Sequence, residues 1–125
     1  MERNKSLGSK TAFNSKALFK MYILSRLIKG ESIYGNLIYE DLKSLFQSTF
    51  FSPSYSVIYD TLHKLEYNDY IVSSWTGSLD IKNRQKRIYR ITDKGIMHYN
   101  STVANFVDDL KSNKFVIEKF ISLLS

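Results

Sequence analysis

The sequence predicts a mainly α chain carrying one β-hairpin, an α+β architecture with three short helices before the hairpin and one long helix after it. Three observations make that prediction. Apolar residues return every three or four positions through residues 16–67. Two β-branched, aromatic runs, IVSSWT at 71–76 and KRIYRIT at 86–92, flank a polar connection. From residue 96 the apolar residues alternate in steps of three and four to the C-terminus.

The elements follow in order. Residues 1–15 lack periodicity and read as a flexible basic N-terminal arm. A first helix spans Lys16 to Lys29, with Leu18, Phe19, Tyr22, Ile23, Leu27 and Ile28 returning to neighbouring faces and Gly30 as its stop. A second helix runs from Ile33 to Phe46, with Tyr34, Leu37, Ile38, Leu42 and Leu45 inward. Gly35 near its start admits the close approach of a neighbouring backbone. Ser52 is placed to cap a third helix, and Pro53 fits its first position, so that helix covers Pro53 to Tyr67. Its residues Ile58, Leu62 and Leu65 share one side, and YNDY then turns the chain. GSLDIKNRQ is the charged hairpin tip, with Gly77 at its start. This chain order is that of a winged helix-turn-helix, which occupies residues 16–92.

Thr92 is a good N-cap for the last helix, which fills residues 93–125. Its seam is Ile96, Tyr99, Val103, Phe106, Leu110, Asn113, Ile117, Phe120 and Leu124, a heptad pattern with one polar intruder. Such a helix is about 48 Å long, more than a small domain covers. An apolar seam left in water invites aggregation. A second copy of the chain is the simplest cover, so the seam residues are the expected homodimer interface. Packing on the first helix takes some of the seam. Asn113 either fixes the register of that pairing or marks a break at KSNK.

The 125 residues suit one domain with an appendage. The charge of +6 is unevenly spread. Residues 1–29 hold seven basic side chains against one acidic, residues 30–70 two against six, and residues 71–94 six against two. Basic zones flanking an acidic helical middle suit a polyanion, and double-stranded DNA is the expected partner. No apolar run is long enough to span a bilayer, and the N-terminus lacks a signal-peptide core, so no membrane partner is expected. The chain has no cysteine, which is compatible with a reducing cytoplasm. No enzyme, cofactor or metal site is expected. There are two histidines, His63 and His98, no Gly-rich phosphate loop, and Asp108 and Asp109 are adjacent and diverge on a helix.

The outer face of the third helix carries Ser56, Asp60, His63 and Tyr67, flanked by Tyr59 and Lys64. A merely solvated face is usually richer in Lys and Glu. Hydroxyls, rings and an imidazole suit a DNA groove, where they approach phosphates, base edges and thymine methyls. The expected contacts are Ser54, Tyr55, Ser56, Tyr59 and His63, with Lys64 on the backbone and the helix N-terminus offering N–H groups to a phosphate. Tyr55 and Tyr59 have a second reading, as filling between helices. Asp60 repels phosphate unless it accepts from a cytosine amino group. At the wing, Lys82, Arg84, Lys86 and Arg87 are the expected phosphate or minor-groove contacts.

IYG at 33–35, IYDTLHKLE at 58–66 and YRITDKG at 89–95 carry a resemblance to the PadR family of transcriptional regulators, over roughly residues 18–100. The resemblance implies a winged helix-turn-helix with a long C-terminal dimerisation helix, binding operator DNA as a repressor. By match, the recognition helix is residues 54–67, the wing is 77–87, and Tyr34 opens the second helix near the phosphate backbone. The spacing from Pro53 to Ile58 exceeds the family's usual pattern. With the basic arm and VIEKFIS near the end, it also resembles the replication terminator proteins of Bacillus, dimeric winged-helix relatives. A replication-control protein is therefore the alternative role. A coiled-coil interaction module without DNA binding is the alternative of another class. No residue pattern specifies a small-molecule effector.

Overall fold

The computed structural model describes residues 14–49, 52–79 and 85–125. The expected N-terminal arm, apart from its last two residues, and residues 80–84 of the hairpin tip, with Lys82 and Arg84, lie outside the described residues. Element order is α1 (Ser15–Leu27), β1 (Ile33–Tyr34), α2 (Gly35–Leu45), α3 (Tyr55–Tyr67), β2 (Ile71–Leu79), β3 (Gln85–Ile91) and α4 (Asp93–Leu124). The strands form one antiparallel sheet in the order β1-β3-β2. The chain divides into a unit Ser15–Tyr99 and a second one containing residues 100–125.

The core of the first unit is assembled from the faces that the 3.6-residue period marks. Phe19, Ile23, Leu24 and Leu27 of α1 meet Ile38 and Leu42 of α2 and Ile58, Leu62 and Leu65 of α3. Ile33, Ile71 and Tyr89 close it from the sheet. Each large aliphatic side chain so buried contributes about 1.5–3 kcal/mol, the dominant stabilising contribution. Arg26 clamps α1 to α2 from outside, donating to Asp41 at 3.2 Å and to Glu31 at 3.1 Å.

Several expected boundaries move. The second helix begins at Gly35, because Ile33 and Tyr34 are extended and pair with Tyr89 and Ile88 of β3. A β-branched and an aromatic residue satisfy their backbone better in that ladder than in a first helical turn. Leu37 and Leu45 are exposed, not inward. Leu37 lies about 100° round the helix from Ile38. Leu45 ends α2, and Phe46 beyond it packs edge-on against Phe19 with ring centroids 5.3 Å apart. Gly35 faces side chains, the Tyr59 hydroxyl and the Tyr89 ring, not a neighbouring backbone.

The cap of α3 is Ser54, not Ser52. Its hydroxyl accepts from the Val57 N–H at 3.2 Å, which sets the first helical residue at Tyr55 and leaves Pro53 buried just before the cap. Gly30 stops α1 in the left-handed region, at φ +89°, as expected. β2 extends to Leu79, so Gly77 lies within the strand, in the stretch between Trp75 and Leu79 where the register slips.

Thr92 caps α4 as expected. Its hydroxyl accepts from the Gly95 N–H at 3.0 Å and lies 2.6 Å from the Asp69 carbonyl, to which it donates. The helix is continuous to Leu124, and the Asn113 amide donates to the Asp109 carbonyl, so KSNK is no break. Ile96 and Tyr99 are half-buried in the first unit. In the second, Val103, Phe106, Leu110 and Asn113 are half-buried, whereas Ile117, Phe120 and Leu124 are exposed. Phe115, Val116, Ile121 and Leu123 are exposed too, so the apolar face widens towards the C-terminus. Among the described residues no helix is long and apolar enough to cross a membrane, and no His/Cys/Asp/Glu group is placed to hold a metal ion.

Candidate nucleic-acid interface

The outward face of α3 is built by the inward one. Because Ile58, Leu62 and Leu65 are buried, Ser56, Asp60, His63, Lys64 and Tyr67 are exposed on the other side. Ser54 and Ser56 stand at the helix start with their hydroxyl oxygens 3.4 Å apart. The N-terminus therefore presents two hydroxyls beside its free N–H groups, a suitable seat for a phosphate.

The tyrosines form a column rather than a set of independent contacts. Tyr59 is half-buried under Tyr55, the two rings stacked at 4.4 Å. Tyr39 of α2 meets Tyr55 edge-on at 5.3 Å, and the Lys43 ammonium lies 5.8 Å from the Tyr39 ring centre. Burial first, then the hydrogen bond with Tyr55 and the nearby Tyr55 and Tyr89, hold the Tyr59 hydroxyl well above the ordinary tyrosine range. Tyr59 is thus a neutral support at physiological pH, and Tyr55, 58% exposed, is the ring it presents. Its half-burial and its stacking on Tyr55 are what the second reading of Tyr59, as filling between helices, requires.

Asp60 pairs with Lys64 one turn later, at 3.3 Å. The pair is exposed and adds little stability, but it cancels the repulsion that an isolated Asp60 would direct at a polyanion. It also leaves Lys64 a weaker backbone cation than its sequence position suggests. His63 is exposed between these residues and the helix end.

The wing residues separate. Lys86 and Arg87 are neighbours on β3, so their side chains leave opposite faces of the sheet. Lys86 lies over the ring of Tyr34, 5.4 Å from its centre, and Tyr34 is half-buried as the residue before α2. Arg87 instead turns to α3: its Nε donates to the Ser73 hydroxyl at 2.9 Å and its Nη2 faces Glu66 at 3.8 Å. Ser56 and His63 thus share the outward face of one helix, Ser54 and Tyr55 stand at its start, and Lys64 lies on the flank about 180° round from Tyr55. Tyr34 and Lys86 form a second group, and Arg87 belongs to neither.

Sequence reasoning overlooked Tyr39, Lys43, Glu66, Ser73 and Trp75. For Tyr39 and Lys43 the signal was present, an i, i+4 aromatic–lysine pair on the helix preceding the reading helix. Trp75 pairs with Arg87 only once the strand register is known.

Three helices packed on an antiparallel sheet, with an exposed hydroxyl-rich third helix and a long terminal helix, define a winged helix-turn-helix protein of regulator type. The model of the transcriptional regulator PadR-like family matches residues 23–100, more than half of the chain, and the chain belongs to that family. Among solved structures, a transcriptional regulator from Clostridium thermocellum is 26% identical with a TM-score of 0.60, over 88% of this chain and 99% of that one. A PadR family regulator from Eggerthella lenta is 19% identical with a TM-score of 0.64, over 83% and 85%, and speaks to the fold alone. Bacillus subtilis PadR, solved in complex with operator DNA, is 30% identical with a TM-score of 0.57, over 69% of this chain and 46% of its own. No curated protein matches the chain.

Proposed function

We propose that this chain is a sequence-specific double-stranded DNA-binding homodimer that represses transcription by occupying an operator in the cytoplasm, acting by binding and not by catalysis. The observation that carries the reading is the face of α3. A capped helix start with Ser54 and Ser56, followed by a braced Tyr55 and an exposed His63, stands in a chain of the PadR-like family. The related Bacillus subtilis PadR was solved on operator DNA. Ser54, Tyr55, Ser56 and His63 meet bases and phosphates in the major groove, while Lys64, Lys86 and the wing-tip Lys82 and Arg84 meet the backbone. Tyr34 supports Lys86.

Residues 16–92 are the DNA-binding domain and residues 93–125 the dimerisation helix. Ile96, Tyr99, Val103, Phe106, Leu110, Ile117, Phe120 and Leu124 line the seam between copies. In favour of this, the apolar face from Phe115 to Leu124 is exposed in the single chain.

The test is affinity for duplex DNA against salt, joined to genomic mapping of bound sites. Repression through an operator predicts a steep salt slope and palindromic sites at promoters. Tandem sites near a replication terminus would move the role to replication control. Absence of duplex binding at low salt would refute the DNA reading.

A further inference from the structure

We propose that Arg87 is a positioning residue that locks the wing to the C-terminal end of the reading helix, and not a phosphate ligand. The proposal rests on the DNA-binding reading for its consequence but on packing for its substance.

The lock starts from a residue in an unfavourable place. Glu66 lies in the last turn of α3, where the helix dipole disfavours a negative charge. Its carboxylate is met from the sheet. One oxygen, Oε2, accepts from the Ser73 N–H at 3.1 Å and from the Ser73 hydroxyl at 2.7 Å. The other, Oε1, faces Arg87 Nη2 at 3.8 Å. The Ser73 hydroxyl, while donating to Glu66, accepts from Arg87 Nε. The guanidinium also lies over the Trp75 ring, 5.0 Å from its centre.

The Glu66 contacts join α3 to the wing, and those of Arg87 to Ser73 and Trp75 tie its two strands together at the same place. β2 is an edge strand, so an outward backbone N–H on it has no neighbouring strand, and at Ser73 the Glu66 carboxylate supplies the acceptor. Arg87 comes from β3, directly across from Trp75 on β2, and bridges the hairpin to that carboxylate. The α3 helix ends at Tyr67 and β2 begins at Ile71, so only a short turn otherwise sets the angle between reading helix and wing.

A guanidinium stacked on a ring and facing a carboxylate offers a phosphate little net charge. Glu66 and Arg87 together are neutral, so they contribute little to counterion release. Trp75 is the chain's single tryptophan and is 57% exposed, which makes its emission a reporter of the lock independent of DNA.

The experiment compares the full-length wild type with Glu66→Gln, Ser73→Ala, Arg87→Gln and the Glu66→Gln/Arg87→Gln double variant. Acrylamide quenching of Trp75 and duplex affinity at several salt concentrations are read for each. The lock predicts that Glu66→Gln raises Trp75 quenching nearly as much as Arg87→Gln does, because it frees the guanidinium. It predicts a roughly tenfold affinity loss for either single variant, a smaller loss for Ser73→Ala, and no further loss in the double. The salt slope stays that of the wild type.

A phosphate-binding Arg87 gives other results. Arg87→Gln then lowers the slope by about 0.9 per contact, and Glu66→Gln tightens binding by removing a carboxylate near the polyanion. Either result, or Trp75 quenching unmoved by Glu66→Gln, overturns the proposal. Should the wild type fail to bind duplex DNA, the quenching arm still decides the lock while the DNA reading falls separately.

Discussion

Gly95→Ala tests the joint between the sheet and the terminal helix. Gly95 is buried in the first turn of α4, and its N–H donates to the Thr92 cap. A Cβ on it would stand 2.1 Å from the Tyr70 carbonyl oxygen and 2.7 Å from Ile91 Cγ1. That carbonyl cannot readily retreat, because it accepts from the Thr92 N–H at 3.0 Å and lies within 3.0 Å of the Thr92 hydroxyl. Two effects oppose each other. Alanine favours a helix over glycine by about 1 kcal/mol. Overpacking costs about 1–3 kcal/mol, and collision with fixed backbone belongs at or above the top of that range. The net expectation is a loss of about 2 kcal/mol, or roughly 8 °C in Tm for a chain of this size. Urea denaturation at fixed protein concentration measures it as a lower midpoint with an unchanged slope. Ala104→Gly, at an exposed site further along α4, measures the helix-propensity effect by itself. A Gly95→Ala protein as stable as the wild type would refute the claim that close approach to Tyr70 requires glycine here.

Three further outcomes are expected. Gly35→Ala meets the far end of a side chain, the Tyr59 hydroxyl at 2.8 Å; it costs less stability than Gly95→Ala but shifts Tyr59 under Tyr55, and binding to randomised duplexes should show weakened sequence preference. His98 stacks on Tyr70 at 4.2 Å and titrates below the ordinary histidine range, through burial first and then Lys20 and Lys94. Its contribution to stability is complete above about pH 6.5 and lost as pH falls through the folded value, so wild-type stability drops on acidification more steeply than that of His98→Gln; equal pH slopes in urea titrations would contradict this. Phe120→Asp removes an exposed ring and leaves the first unit intact. At about 1.5–3 kcal/mol per ring and two rings per dimer, it weakens dimerisation by roughly two to four decades, read by sedimentation.

The helices were legible because a buried stripe must recur with the helical period. Phe19, Ile23 and Leu27, or Ile58, Leu62 and Leu65, have that spacing and are buried. The Thr92 cap and the Gly30 stop were legible because their chemistry is local. Ile33–Tyr34 was misread for the opposite reason. Its strand exists only because β3, more than fifty residues later, supplies the partner backbone, and no window around residue 33 contains that information. The cap of α3 failed by two positions because Ser52 and Ser54 are equally good acceptors in sequence, and burial of Pro53 decides between them.

Side-chain roles were harder to read than elements, because a role depends on what stands opposite. Lys86 and Arg87 are adjacent cations in the sequence, yet the alternation of a strand sends one to Tyr34 and the other to Glu66. The same holds for the acidic middle of the chain. Of its six carboxylates, Glu31 and Asp41 are taken up by Arg26, Asp60 by Lys64 and Glu66 by Arg87. Arg26 and Arg87 thus halve the net charge of −4 of residues 30–70, while Glu40 and Asp69 remain exposed. Arg26 and Arg87, which count towards the two basic zones of the sequence, are the partners that neutralise part of it. On the proposed reading, what a polyanion meets on α3 is a nearly balanced face of hydroxyls, rings and one ion pair. On the proposed reading, attraction comes from exposed lysines, Lys43 and Lys86 among them, each lying over a tyrosine ring. A ring leaves the ammonium charge uncancelled, where a carboxylate would neutralise it. Segment charge is thus a poor guide to the field at this face, and the pairing pattern is a better one.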